Sequence, residues 1–154
     1  MKFKILKSEL FISLNHLHGI VDKKNSLPIL SNIMIEAKKN HLILSSTDMD
    51  VSIIETVKCN TLEEGSTTIN SQILYDIVRK LEDNSEIEVI SNNGKLLTLR
   101  ADGSRFSLAS LPTEDFPIIN RENTGINIKL NSRILYKLID KTKFAISNEE
   151  TRYF

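Results

Sequence analysis

A short pattern recurs three times along this chain at nearly constant spacing, and an internal repeat constrains a fold more than any single motif does. Leu6-Lys7-Ser8-Glu9-Leu10-Phe11, Ile69-Asn70-Ser71-Gln72-Ile73-Leu74 and Leu130-Asn131-Ser132-Arg133-Ile134-Leu135 align without gaps. The serines fall at 8, 71 and 132, spacings of 63 and 61 residues, and Leu14, Ile77 and Leu138 each lie six positions beyond them. A serine hydroxyl caps a helix by accepting a hydrogen bond from an unpaired first-turn N–H. Apolar residues two, three and six positions further on share one helical face. Each segment therefore reads as a short strand entering an amphipathic helix capped by Ser8, Ser71 or Ser132.

The stretches after the helices repeat as well. Alternation at Ile33/Ile35/Ala37, Leu42/Leu44 and Val51/Ile53, with Lys39-Asn40 as a turn, predicts three antiparallel strands. After the second helix the same reading falls on Ile87/Val89, Leu97/Leu99 and Phe106/Leu108. Here Asn93-Gly94 and Asp102-Gly103 supply hairpin turns that need positive φ. The unit is strand, helix, then three strands, an α+β arrangement. Two units complete a domain whose pattern ends near Pro117, placed at residues 1–122, and 123–154 open a second domain. The third unit has a first strand at 126–130 and a helix at 132–143, but no sheet to cover that helix. The expectation is a chain that breaks off inside its second domain.

Composition narrows the classes. The 154 residues carry 20 Lys+Arg against 20 Asp+Glu, with 40% hydrophobic and 26% charged residues, which excludes wholesale disorder and a uniformly basic nucleic-acid binder. A basic face remains possible. A single cysteine, Cys59, allows neither an internal disulfide nor a cysteine-rich zinc site, and points to a reducing compartment. No run approaches the about 20 apolar residues of a membrane helix, so a cytoplasmic, soluble protein is expected.

The third helix places Arg133, Lys137 and Lys141 at four-residue intervals opposite Ile134, Leu135 and Leu138, with Lys143 just beyond. Taken alone, such a stripe is an ordinary solvated helix face. The second helix mixes Arg79 and Lys80 with Asp76 and Glu82. Catalytic motifs are poor. His16 and His18 are two apart and point to different sides of a helix, and His41 reads as a solvated turn residue. Asp48 and Asp50 form an Asp-x-Asp pair that could hold magnesium, but no glycine-rich phosphate loop accompanies it. Cys59 has only Lys58 nearby to activate it. No nucleophile motif is present. The expectation is a protein with no catalytic residue, resident metal or cofactor.

Several stretches resemble the bacterial sliding-clamp family, the beta subunits of DNA polymerase III. They are Met1-Lys2-Phe3, Leu27-Pro28-Ile29-Leu30, Ser46-Thr47-Asp48 and Gly65-Ser66-Thr67-Thr68. The most specific is Ser104-Arg105-Phe106-Ser107-Leu108 running on to Leu111-Pro112 and Asp115-Phe116-Pro117, followed by Arg152-Tyr153-Phe154. The resemblance covers the whole chain in order. It implies a DNA-clamp fold of strand-helix-three-strand units, with antiparallel sheets outside and helices facing a central hole. The implied function is a processivity factor that encircles duplex DNA and tethers the replicative polymerase, as a head-to-tail homodimer when full length. Overall neutrality then fits a basic inside and an acidic outside. Polymerase and clamp loader would dock in a cleft beyond residue 154.

Residue by residue, the resemblance implies that Arg79, Arg133, Lys137 and Lys141 face DNA and attract phosphates without reading bases. Lys24 stands where the family often has arginine, keeping charge but not the bidentate fork. Tyr153 and Phe154 fall on the family's paired aromatics near the ring face. Glu149 stands where the family can have a neutral amide, and its carboxylate would repel phosphate. Without the family, Tyr153 and Phe154 read as core-strand aromatics. Phe106 and Leu108, with Arg105 beside them, would make the subunit contact along an edge strand; read alone, the two apolar residues are core. Two other readings stay open. One is a free-standing module without ring function that binds a protein through this edge strand. The other is a small magnesium enzyme using Asp48 and Asp50.

Overall fold

The computed structural model describes residues 1–21, 27–92, 95–117 and 128–147. Strand β1 (Lys2–Leu6) runs into helix α1 (Lys7–His18), and a short 3-10 turn (Pro28–Ser31) precedes β2 (Asn32–Lys38), β3 (His41–Thr47) and β4 (Ser52–Lys58). Then come β5 (Asn60–Glu63), β6 (Gly65–Asn70), α2 (Ser71–Lys80), β7 (Glu86–Asn92), β8 (Leu96–Ala101) and β9 (Ser104–Ala109), and later α3 (Ser132–Thr142). The chain divides into two compact units, Met1–Ile119 and Asn120–Phe154.

The repeats do not fold separately. A five-stranded antiparallel sheet has the order β5-β1-β7-β8-β9, and a four-stranded one the order β4-β3-β2-β6. Each repeat thus gives its first strand to the sheet of the other: Ile5 pairs with Ile87, and Ile69 with Ile33. The strand β5 was not expected. It follows β4 after Cys59 alone, and carries the chain from the four-stranded sheet to the far edge of the five-stranded one. Thr61 is its one half-buried residue and Leu62 is exposed, so no alternation announces it.

The inward sides of both sheets and of α1 and α2 form one core, with Leu14, Leu17, Ile33, Leu42, Leu44, Val78, Ile87 and Leu99 fully buried. Its geometry corrects the spacing of the repeat. Ile5 and Ile69, Leu10 and Leu74, Phe11 and Tyr75, and Leu14 and Val78 occupy corresponding places, and each pair is 64 residues apart rather than 63. The serine alignment is one residue out of phase with the packing. One position on a helix is a rotation of about 100°, so Leu10 is buried while Ile73, its counterpart by serine alignment, is 48% exposed.

The caps shift for the same reason. Asn70 Oδ1 accepts from the Ile73 N–H at 3.0 Å, and Asn131 Oδ1 accepts from the Arg133 N–H at 2.9 Å. Ser71 and Ser132 are the first helical residues, not caps, and Ser8 lies inside α1, whose N-cap position is Leu6 without a side-chain cap bond. Asparagine caps as well as serine does, and it stands one place earlier.

Helices α1 and α2 lie antiparallel, because the first helical residue of each meets the end of the other. Lys7, nine-tenths buried, puts its ammonium on Asp83 just past α2, and His18 Nδ1 lies 3.3 Å from Ser71 Oγ. Between these ends Tyr75 stacks on Phe11 (centroids 5.5 Å) and on His18 (4.7 Å). At the opposite side, Ser110 donates to the Thr68 carbonyl at 2.7 Å and Thr68 Oγ1 to the Leu111 carbonyl at 2.8 Å, tying the chain leaving β9 to β6.

Turn expectations hold where described. Asn40 (φ 58°), Asp102 (φ 51°) and Gly103 (φ 73°) are left-handed, as two-residue hairpin turns require; Asn93-Gly94 lies outside the described residues. Strand β4 begins at Ser52, so Val51 sits in the turn rather than the strand and is 54% exposed. Residues 128–130 form no strand before α3, and 126–127 lie outside the described residues. Within its own unit α3 leaves Ile134, Leu135, Leu138 and Ile139 about half exposed. The outer face of the five-stranded sheet is not acidic but self-paired: Lys4 bonds Glu86 at 2.7 Å, and Glu88 meets Lys2 at 3.3 Å and Arg100 at 3.5 Å.

Two outcomes test this account. Asn70→Ala should cost about 1 kcal/mol in urea unfolding through loss of the α2 cap, whereas Ser8→Ala should cost little; equal costs would restore serine as the capping residue. Lys7's hydrogen bond, then its charge, holds the Asp83 carboxyl below the usual carboxylate range. A depressed folded value stabilises the fold above the unfolded value of about 3.9 and loses that stabilisation as pH falls through the folded one. The stability gap between the native chain and Asp83→Asn should therefore be full at neutral pH and close in acid; a gap independent of pH would contradict the pairing.

Candidate nucleic-acid interface

The residues expected to face DNA separate into three groups. Lys24, Glu149, Tyr153 and Phe154 lie outside the described residues. Arg79 closes the last turn of α2, is 54% exposed at its side chain, and is partly neutralised by Asp76 at 3.2 Å. Its guanidinium also lies 5.6 Å from the Tyr75 ring centroid. Arg133, Lys137 and Lys141 stand exposed along α3, and among the described residues none of them is in an ion pair. Lys143, just beyond, is paired with Asp140 at 2.7 Å.

These differences are electrostatic in origin. An i,i+3 carboxylate screens Arg79 and shortens the reach of its field. On α3 the carboxylate three residues beyond Lys137, Asp140, is instead engaged by Lys143, and four-residue spacing keeps Arg133, Lys137 and Lys141 on one side. The exposed face of α1 carries Ser8, Glu9, Ile12, Asn15 and His16, with neither lysine nor arginine. Its only cationic side chain, Lys7, is turned inward to Asp83. Of the described helices, α3 carries the longest line of exposed cations without an ion-pair partner among the described residues.

Strand β9 is the edge of the five-stranded sheet, as expected for Arg105, Phe106 and Leu108. Arg105 is exposed, and Phe106 and Leu108 are half-buried against the core. Beside them lies a trough of about 390 Å³ that Phe106 shares with Ile73, Ile77 and Leu81 of the α2 region. The α2 contribution was missed from sequence, because Ile73 and Ile77 look inward when the helix is phased on Ser71. The one-residue correction turns Ile73 out. Half-covered apolar side chains and the open hydrogen-bonding edge of β9 coincide here.

The residues weighed for catalysis are engaged in other ways. Asp48 Oδ1 accepts from the N–H groups of Asp50 (3.0 Å) and Val51 (2.7 Å), closing the β3–β4 turn, in which Met49 has φ 85°. Among the described residues no three potential metal ligands cluster. His16 Nδ1 lies 2.5 Å from Glu55 Oε1, His18 stacks on Tyr75, and His41 Nδ1 lies 2.7 Å from the Lys39 carbonyl, so the first two do point apart. Burial pushes the Cys59 thiol up against the opposing Thr61 hydrogen bond, which leaves it a weak nucleophile. No helix among the described residues is long and apolar enough to cross a membrane.

Comparison with known proteins agrees along the whole length. The family described as DNA polymerase III beta subunit, N-terminal domain, matches residues 1–120. The beta sliding clamp of Caulobacter vibrioides is 39% identical over 100% of this chain and 42% of its own length, and that of Vibrio cholerae is 36% identical over the same shares. Among solved structures, Caulobacter crescentus pol III beta superposes with a TM-score of 0.91 at 38% identity, covering 99% of this chain and 41% of that one. A sliding clamp from Bartonella birtlesii bound to griselimycin gives 0.92 at 37% identity, again over 99% and 41%. The chain thus spans about 42% of the length of the curated relatives it matches. With its two exchanged repeats, its antiparallel sheets and this agreement from end to end, the chain belongs to the family of DNA polymerase III beta subunits, the beta sliding clamps.

Proposed function

We propose that this chain serves as part of a non-catalytic processivity clamp, a ring that encircles duplex DNA and tethers the replicative polymerase. The observation that carries this reading is the likeness of the whole chain to proteins named beta sliding clamps. A closed ring raises the local concentration of its cargo by topology, so no single DNA contact has to be strong. Unpaired cations on a helix supply long-range attraction, screened within about 8 Å at physiological salt, and they attract every sequence alike.

In this reading Arg133, Lys137 and Lys141 are the principal phosphate contacts, Arg79 is a weaker one, and Lys24, Tyr153 and Phe154 join them. Glu149 does not. Residues 1–122 form a first clamp domain and 123–154 belong to the next. Arg105, Phe106 and Leu108, with the α2 trough, make a head-to-tail contact with a second subunit. Polymerase and clamp loader dock through a cleft built by sequence other than these residues, and the protein works in the cytoplasm. The open β9 edge also supports a second reading, an interaction module that binds a protein strand without forming a ring.

Two measurements check the reading. Exchanging Lys137 and Lys141 for Glu should weaken association with unrelated duplexes equally and lower the magnitude of the salt slope by about 1.8, near 0.9 per phosphate contact; a loss confined to one sequence would mean that these side chains read bases. Arg105→Glu, at an exposed position, should reduce self-association of a clamp carrying this domain while leaving its melting temperature unchanged. Undiminished association would move the subunit contact away from β9.

A further inference from the structure

The seam between α1 and α2 contains a side-chain arrangement that DNA attraction alone does not require. Tyr75 is half-buried, and its ring is gripped by two others: Phe11 at 5.5 Å and 26°, and His18 at 4.7 Å and 10°. Phe11 and Tyr75 are the counterparts of one another in the two repeats, so the grip comes from the approximate symmetry of the domain. One turn further along α2, the Arg79 guanidinium lies 5.6 Å from the centroid of this held ring. Asp76 holds it from the side at 3.2 Å, and Asp76 is itself fixed by Gln72, whose Nε2 donates to Oδ2 at 2.8 Å.

We propose that Tyr75 is a positioning residue for Arg79, fixing its guanidinium on the outer face of the helix pair so that it meets a phosphate already ordered. The inference rests on the DNA-binding reading above. An arginine free to sample its rotamers loses that freedom on binding, and one already held against a fixed ring and a carboxylate loses less. The guanidinium has five N–H donors in a planar fork, and the carboxylate of Asp76 leaves others available to a phosphate. Contact with the ring uses the delocalised charge of the guanidinium while hydrogen bonding uses its N–H donors, so the two do not compete. Arg79 then differs in kind from Lys137 and Lys141, which reach phosphates as loose, strongly hydrated charges.

The test is fluorescence anisotropy of a labelled short duplex of arbitrary sequence, titrated with the 154-residue chain at several low salt concentrations. Arg79→Ala should weaken association and lower the magnitude of the salt slope by about 0.9. Tyr75→Phe, which keeps the ring, should match the native chain. Tyr75→Leu should weaken association about two- to fivefold, the range of an exposed cation–π contact, and should add nothing when Arg79 is already Ala. Equal weakening by Tyr75→Leu in both backgrounds would mean a role in helix packing alone and would overturn the proposal, as would native affinity in Tyr75→Leu. Arg79→Lys supplies an arm that does not touch the packed seam. It keeps the charge but loses the flat fork, so it should fall as far as Tyr75→Leu, and retention of native affinity would overturn the proposal. No association by the native chain, or no effect of Arg79→Ala, would instead overturn the DNA reading at α2 while leaving the stack itself intact.

Discussion

Strand exchange between the two repeats is the constraint on which the rest of the first unit depends. Strand β1 is hydrogen-bonded between β5 and β7, and β6 is paired to β2, so each three-stranded meander is completed by the strand that opens the other repeat. A meander alone would leave an open edge and a helix with no cover. Exchange pairs one edge of each meander and covers both helices by joining two sheets and two helices around a single core. It also fixes the helices end to end. Each helix leaves the last residue of an exchanged strand, and its first residue meets the end of its partner, Lys7 at Asp83 and Ser71 at His18. Pairing Lys2 with Ile90 requires contacts far apart in the chain, the kind that slow folding by topology.

Exchange leaves some edges unpaired, and charge decides what they can do. The outer face of the five-stranded sheet satisfies its own charges through Lys2, Lys4, Glu86, Glu88 and Arg100, and Glu86 holds the Lys4 ammonium above its ordinary range. A self-paired surface exerts little field at a distance. The β9 edge is different: it places Phe106 and Leu108 beside the apolar side of α2, where a partner could extend the sheet. On α3, described within its own unit, cations without partners among the described residues take the place of self-pairing.

The family and the α+β class were legible because local patterns survive in the residues. Alternation marked β2, β3, β7, β8 and β9, and the left-handed Asn40 and Asp102-Gly103 sat where hairpin turns were expected. The basic stripe of α3 was equally visible, since four-residue spacing depends on the helix alone. Less visible was the phase of α2. Serine recurs so regularly that it invites alignment on itself, yet Asn70 and Asn131 are the caps, and the buried pairs Leu10/Leu74 and Leu14/Val78 align one residue away. Ile73 consequently turns from core to trough. Strand β5 escaped because four residues with little burial carry no period, and its place is set by β1.

The residues by themselves determined the three helices and the strands that alternate, most of the turns, and where α3 is basic, because periodicity, turn chemistry and spacing act over a few positions. The tertiary structure alone decided which sheet each strand joins, that Lys7 points inward to Asp83 rather than into solvent, and that Tyr75 lies beside Arg79 and against Phe11 and His18. Those outcomes depend on partners many tens of residues away. A strand's own pattern states which side it buries and is silent about the neighbour that completes its hydrogen bonds.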